Sequence, residues 1–123
     1  MDNLETAISS TADAIRLWQR VVERSLRELP YDLSQRQWGV LLVVYGGTPP
    51  HTVKGLAAQL GMSKPAVSRA VDALSRLDFV RRKKDEQDRR TVLLQRTVQG
   101  SVFLRDFADI IVSEAPSLPR AAA

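Results

Sequence analysis

The stretch His51–Val80, HTVKGLAAQLGMSKPAVSRAVDALSRLDFV, decides the fold. Thr52 has the chemistry of a helix cap and precedes Leu56, Ala57 and Leu60 at helical spacing. Gly61 suits a tight turn that needs positive φ. Ser63 then caps a second helix, with Pro65 in the first turn, where a missing N–H costs little. Two short helices joined by a glycine-containing turn form a helix-turn-helix. On a helical wheel of about 100° per residue, Val67, Ala70, Val71, Leu74 and Leu77 fall on one side. Lys64, Pro65, Ser68, Arg69, Asp72, Ser75 and Arg76 fall on the other. Short hydrogen-bonding groups beside arginines are the equipment for base edges and phosphates.

Downstream the periodicity changes. Phe79–Lys83 and Thr91–Thr97 are extended runs rich in β-formers, and the link Lys84–Arg90 has turn chemistry with no apolar residue. A hairpin with a charged tip directly after a helix-turn-helix is a winged helix, and His51 to Val53 would supply a minimal third strand. Thr97 caps a last helix whose stripe is Val102, Phe103, Phe107, Ile110 and Ile111; from Pro116 onward the chain reads as a tail.

Upstream, Ser34 with Gln37 forms a capping-box pattern for a helix presenting Trp38, Leu41, Leu42 and Tyr45 to the core. Gly46-Gly47 is read as its left-handed cap, and Pro49-Pro50 prevents continuation. The first segment, Leu4 to Leu29, carries Leu4, Ile8, Thr11, Ile15, Trp18, Val22, Leu26 and Leu29 at spacings near those of a coiled-coil seam. Such a helix would be roughly 37 Å long. Its stripe serves either packing within the chain or a subunit contact.

Length and composition set the bounds. The 123 residues suit one domain, with a helix over 4–29, a winged helix-turn-helix core over 33–97, a helix over 97–115 and a tail over 116–123. The absence of cysteine removes disulfides, thiol chemistry and Cys-based metal sites, and the single histidine, His51, excludes a multi-histidine metal site. No cofactor is expected. No apolar run approaches the ~20 residues of a membrane span, so the chain is read as soluble and cytoplasmic, with no membrane partner. Of the formal charge of +4, the segment Lys64–Arg96 carries +5, from ten basic and five acidic residues. Concentrated positive charge points to a polyanion.

With the hairpin in place, the chain resembles the MarR family of winged-helix transcriptional regulators. The resemblance covers about Leu33 to Gly100 and rests on SQRQWGVLL, TVKGLAAQLGMSKPAVSRAVDALSRLDFV, the wing signature Asp88-Arg89-Arg90, and TVQG. It implies a mainly α, α+β fold and a homodimer whose recognition helices, about 63–77, enter successive major grooves of double-stranded DNA. The wings, about 79–97, would lie at the minor grooves. By position, the DNA-binding residues are Thr52, Ser63, Lys64, Pro65, Ala66, Ser68, Arg69, Arg76, Asp88, Arg89 and Arg90. Arg90 matches the wing-tip arginine and Asp88 the acid that holds the wing in shape, a position also readable as a plain turn residue. Leu4, Ile8, Ile15, Trp18, Val22, Phe103, Phe107, Ile110 and Ile111 would carry dimerisation.

Arg96 departs from the family's usual apolar residue and is read as either a phosphate contact or a solvent-facing side chain. Many members carry further C-terminal helices, whereas this chain stops soon after Ile111. The resemblance also implies a small aromatic or anionic ligand, for which Trp18, Trp38, Tyr45 and Arg16 are liners if they are not simply core. The function expected is a DNA-binding regulator, a repressor acting by occlusion. Two alternatives are a winged-helix protein-interaction module and a non-regulatory architectural DNA-binding protein. An enzyme is not expected: the sequence has no phosphate-binding glycine loop, no GxSxG and no histidine pair.

Overall fold

The computed structural model describes residues 10–115. Seven elements follow in order: α1 Thr11–Glu28, α2 Gln35–Gly46, α3 Val53–Leu60, α4 Lys64–Arg76, β1 Val80–Lys84, β2 Val92–Arg96 and α5 Val98–Glu114. The described residues fall into two compact units: Leu33–Phe103, and residues 10–32 with residues 104–115.

In the Leu33–Phe103 unit the helix starts are set by local chemistry. Ser34 accepts a hydrogen bond from Gln37 N, and the Gln37 side chain accepts one from Ser34 N, closing a capping box. Thr52 caps α3 by accepting from Gly55 N, and Ser63 caps α4 by accepting from Ala66 N. Gly61 turns the chain between α3 and α4 at φ +63. Gly47, in contrast, is extended at φ −88 and is not a left-handed cap. Its requirement is space: a Cβ there would lie 2.8 Å from Val43 O and 3.0 Å from His51 Cε1.

The core of this unit is Val40, Leu41 and Val44 of α2, Leu56 of α3, Val67, Val71 and Leu74 of α4, and Phe79 and Val80, all fully buried. Each such side chain contributes about 1.5–3 kcal/mol by leaving water. Phe103 stacks on Phe79 at 4.6 Å and on Trp38 at 5.5 Å between ring centroids. Leu42, expected in the core, is 53% exposed, because α2 turns Val40 and Val44 inward instead.

β1 and β2 are antiparallel, with Val80 opposite Arg96 and Lys84 opposite Val92. The third strand shrinks to one bridge, in which Leu94 N donates to His51 O at 2.8 Å. The His51 ring is buried, and its Nε2 has no hydrogen-bond partner. Tyr45 closes the hairpin root: its hydroxyl accepts from Thr97 N at 2.9 Å and lies 2.7 Å from Phe79 O, to which it donates. Thr97 caps α5 by accepting from Gly100 N and donates its own proton to Asp78 O at 2.6 Å.

In the second unit α1 begins at Thr11, capped by Ser10, which accepts from Asp13 N; Leu4 and Ile8 lie outside the described residues. Leu17 and Val21 pack with Ile110 and Ala115, joined by Leu29, Phe107 and Ile111. Arg24 donates to both oxygens of Glu28, at 2.6 and 3.0 Å, and to Glu114 at 2.9 Å. The Arg24 hydrogen bonds hold the Glu28 carboxyl below its ordinary range. The stripe read from the sequence faces outward: Ile15 is 63%, Trp18 55% and Leu26 62% exposed, while Val22 is half-buried. Packing within this unit therefore uses the Leu17–Val21 side of α1.

Two outcomes follow from this geometry. Asp78 sits at φ +59, in the left-handed region that favours glycine. Asp78→Gly is expected to raise stability by about 0.5–1 kcal/mol in urea titration. A Cβ on Gly100 would overlap the Tyr45 hydroxyl and Phe79 O, so Gly100→Ala is expected to cost about 2–3 kcal/mol in the same assay.

Candidate nucleic-acid interface

The orientation of α4 follows from its apolar side. Burying Val67, Ala70, Val71 and Leu74 leaves Lys64, Pro65, Arg69, Asp72 and Arg76 exposed, with Ala66 and Ser68 half-buried. Ser75 departs from the wheel reading: its hydroxyl is buried and has no hydrogen-bond partner. Thr52 and Ser63 commit a side-chain oxygen to their helix caps; Thr52 is half-buried and Ser63 exposed.

At the start of α4 an open cleft of about 330 Å³ brings Ser63, Ala66, Arg69 and Ala70 together with Ser34, Arg36 and Gln37 of the α2 entry. Sequence reasoning missed Arg36. A signal was present: the positive end of a helix dipole disfavours a cation in the first turn, so Arg36 there stands beside charge it would avoid without an anion nearby. Arg69, from α4, supplies a second guanidinium to the lining of this cleft. Arg76 lies at the far end of the 13-residue helix, roughly 18 Å along its axis.

The wing tip is organised by carboxylates. Asp88 Oδ1 accepts from Arg90 N at 3.2 Å, Asp88 Oδ2 accepts from Thr91 Oγ1 at 3.1 Å, and Thr91 N donates to Asp88 O. Asp85 accepts from Gln87 N at 3.0 Å. Asp88 thus holds the turn by its backbone, so its two sequence readings, wing-shaping acid and turn residue, coincide. The Arg90 side chain is 98% exposed, and its Nε is 3.9 Å from Asp88 Oδ1. Arg89 is likewise exposed.

Arg96 is exposed, as one of its two readings had it, but its guanidinium is also held by backbone carbonyls. Its guanidinium donates to Val44 O at 3.1 Å and Gly47 O at 3.4 Å, and lies 5.8 Å from the Tyr45 ring centroid. It caps the last carbonyls of α2, where a helix end favours a cation. Arg82 is also engaged, with Nη2 2.7 Å from Asp72 Oδ1 and 3.4 Å from Ser68 O.

The residues assigned to dimerisation separate. Ile15, Trp18 and Val22 lie on the outward stripe of α1, and Phe107 and Ile111 are half-buried. Phe103 and Ile110 are instead buried inside the chain, at 4% exposure each, because stacking on Phe79 and packing on Leu17 and Val21 consume them. Of the ligand liners, Trp38 stacks on Phe103 and the Tyr45 hydroxyl is spent on the hairpin root; Arg16 and Trp18 are exposed. Among the described residues no group of three or more His, Cys, Asp or Glu is placed to hold a metal, and no helix is long and apolar enough to cross a membrane.

A capped helix-turn-helix followed at once by a pinned, basic-tipped hairpin defines a winged helix. Residues 31–91 match the MarR family model. Solved structures of similar fold include the S. aureus MepR–DNA complex, with TM-score 0.72, 21% identity, and 85% of this chain and 82% of that chain covered. A second is the transcriptional repressor CouR bound to a 23-mer DNA duplex, with TM-score 0.67, 22% identity, and 86% and 72% covered. A third is S. aureus MepR bound to ethidium bromide, with TM-score 0.69, 21% identity, and 85% and 73% covered. Over residues 31–91, about half of its length, the chain is similar to the MarR family, and it shares the winged-helix fold of these solved structures.

Asp88→Ala removes the acceptors for Arg90 N and Thr91 Oγ1. The expected result is faster amide exchange at Arg90, with global stability changed by less than about 1 kcal/mol because the turn is solvent-exposed.

Proposed function

We propose that the chain acts as a homodimeric repressor, placing α4 in the major groove of double-stranded DNA and the wing tip at the adjacent minor groove. The observation that carries this reading is the split within the basic segment. Arg82 and Arg96, though exposed, have their guanidinium groups engaged by Asp72 and by the α2 carbonyls, while Lys64, Arg69, Arg76, Arg89 and Arg90 project from α4 and the wing tip. The Arg36–Arg69 cleft extends this surface toward a backbone phosphate flanking the site that α4 reads. An exposed arginine at a wing tip suits the focused negative potential of a narrow minor groove.

Dimerisation is supported by the outward stripe Ile15, Trp18 and Leu26, each more than half exposed among the described residues, with the half-buried Val22 beside them. A two-fold dimer requires an imperfect palindrome with half-site centres about 34–36 Å apart. Repression by occlusion is in keeping with the relative CouR, a transcriptional repressor bound to a DNA duplex. An aromatic cation on the MepR relative supports a small-ligand response, with the exposed Arg16 and Trp18 as its candidate contacts here.

Selection of bound duplexes from a random pool tests the function. An imperfect palindrome bound by two chains is expected; a pool that stays unenriched would overturn the proposal. On the selected site, Arg36→Ala, Arg69→Ala and Arg90→Ala are each expected to weaken binding with melting temperature nearly unchanged. Each removes one phosphate contact per protomer, so the slope of log K against log salt should become shallower by about 1.8 per dimer. A variant that binds as the parent does takes that residue out of the interface.

A further inference from the structure

Asp72 is the single acid of α4, and it stands on the exposed side with Arg69 and Arg76. On a surface that meets phosphates, an unpaired carboxylate repels its ligand. Its position in mid-helix gives it no capping role and no favourable place on the helix dipole. What it has is Arg82, whose Nη2 lies 2.7 Å from Asp72 Oδ1 and reaches Ser68 O at 3.4 Å. Strand register explains how Arg82 arrives there. Opposed residues share a face, so Val80, Arg82 and Lys84 lie with Leu94, which is buried, on the helix-facing side of the hairpin. Arg81 and Lys83 lie on the other side.

We propose that Arg82 is a positioning residue that neutralises Asp72 on the DNA-facing side of α4 and fastens the wing strand to that helix, rather than a phosphate ligand. The inference rests on the DNA-binding reading above. Arg82 sets the spacing between the groove-reading helix and the wing through one ion pair, and the same pair removes a repulsive charge from the interface. Both partners stay partly exposed, with side chains 38% and 51% accessible, so the pair adds little to folding stability. Its effect appears in DNA affinity.

The test is a double-substitution cycle on the selected duplex, read as affinity and salt slope. Arg82→Ala is expected to weaken binding about tenfold at low salt, because a carboxylate is unmasked, with a penalty that shrinks as salt screens the repulsion. Asp72→Asn alone should bind at least as tightly as the parent. Asp72→Asn combined with Arg82→Ala should recover affinity to within about threefold of the parent, since the repulsion is gone. Melting temperatures, read alongside, should stay within a few degrees of the parent. A double variant as weak as Arg82→Ala, with a slope shallower by about 1.8 per dimer, would make Arg82 a phosphate ligand and overturn the proposal. Arg82→Ala binding as the parent would overturn it too. A parent that selects no duplex removes the DNA reading itself, an outcome distinct from failed rescue on a duplex the parent binds.

Discussion

The hydroxyl of Tyr45 closes the root of the wing, and the placement of everything beyond it follows from that closure. A phenol has one proton to give and lone pairs to accept with, and here they join α2 to the backbone on both sides of the hairpin, at Phe79 and Thr97. Thr97 extends the chain of bonds to Asp78 O on one side and Gly100 N on the other. The turn out of α4, the start of β1, the end of β2 and the start of α5 therefore share one polar node. Burying so many backbone groups is tolerable because each finds a partner within the node. Gly100 lacks a side chain because that volume is already taken by the Tyr45 hydroxyl and Phe79 O.

Charge in this chain has two destinations. The run of cations from Lys64 to Arg96 looks uniform in composition, but the fold divides it by what each guanidinium can reach. Arg96 satisfies carbonyls at the end of α2, and Arg82 satisfies Asp72 and Ser68 O. Arg90, held out by a turn that Asp88 organises through the backbone, keeps its side chain almost wholly in solvent. A net-charge argument thus identifies the partner's sign, while the hydrogen-bond map separates groups that stabilise the protein from groups free to meet the partner.

What the sequence disclosed was local. Ser34, Thr52, Ser63 and Thr97 reach N–H groups three residues away, so their caps could be read from adjacent letters. The α4 wheel was readable because its period belongs to one helix, although Ser75 shows that a residue near the wheel's boundary can turn either way. Arg96 and Tyr45 could not be read in this way. Their partners lie 34 to 52 residues off, and no pattern in the sequence announces a long-range pairing between a guanidinium and a helix end. The same limit explains α1. Leu17 with Val21, and Ile15 with Trp18 and Val22, form two apolar stripes on one helix, and only the arrival of α5 decides which is covered. Gly47 was misread because glycine at a helix end commonly signals positive φ, whereas here it signals lack of room.

The small sheet carries one more consequence. Among the described residues β1 pairs with β2 alone, and the far side of β2 is touched only by His51, so the outer edge of Val80–Lys84 offers unsatisfied backbone donors and acceptors to any passing strand. Four successive cations, Arg81 to Lys84, lie on that strand, and besides Arg82, which pairs with Asp72, three of them keep their charge for a neighbour. Two such strands meeting side by side would bring their like charges within a few ångströms of one another, which disfavours edge-to-edge growth into aggregates. The basic run of the wing thereby works against pairing at this edge, a protection that neutral β-formers in the same strand would not give.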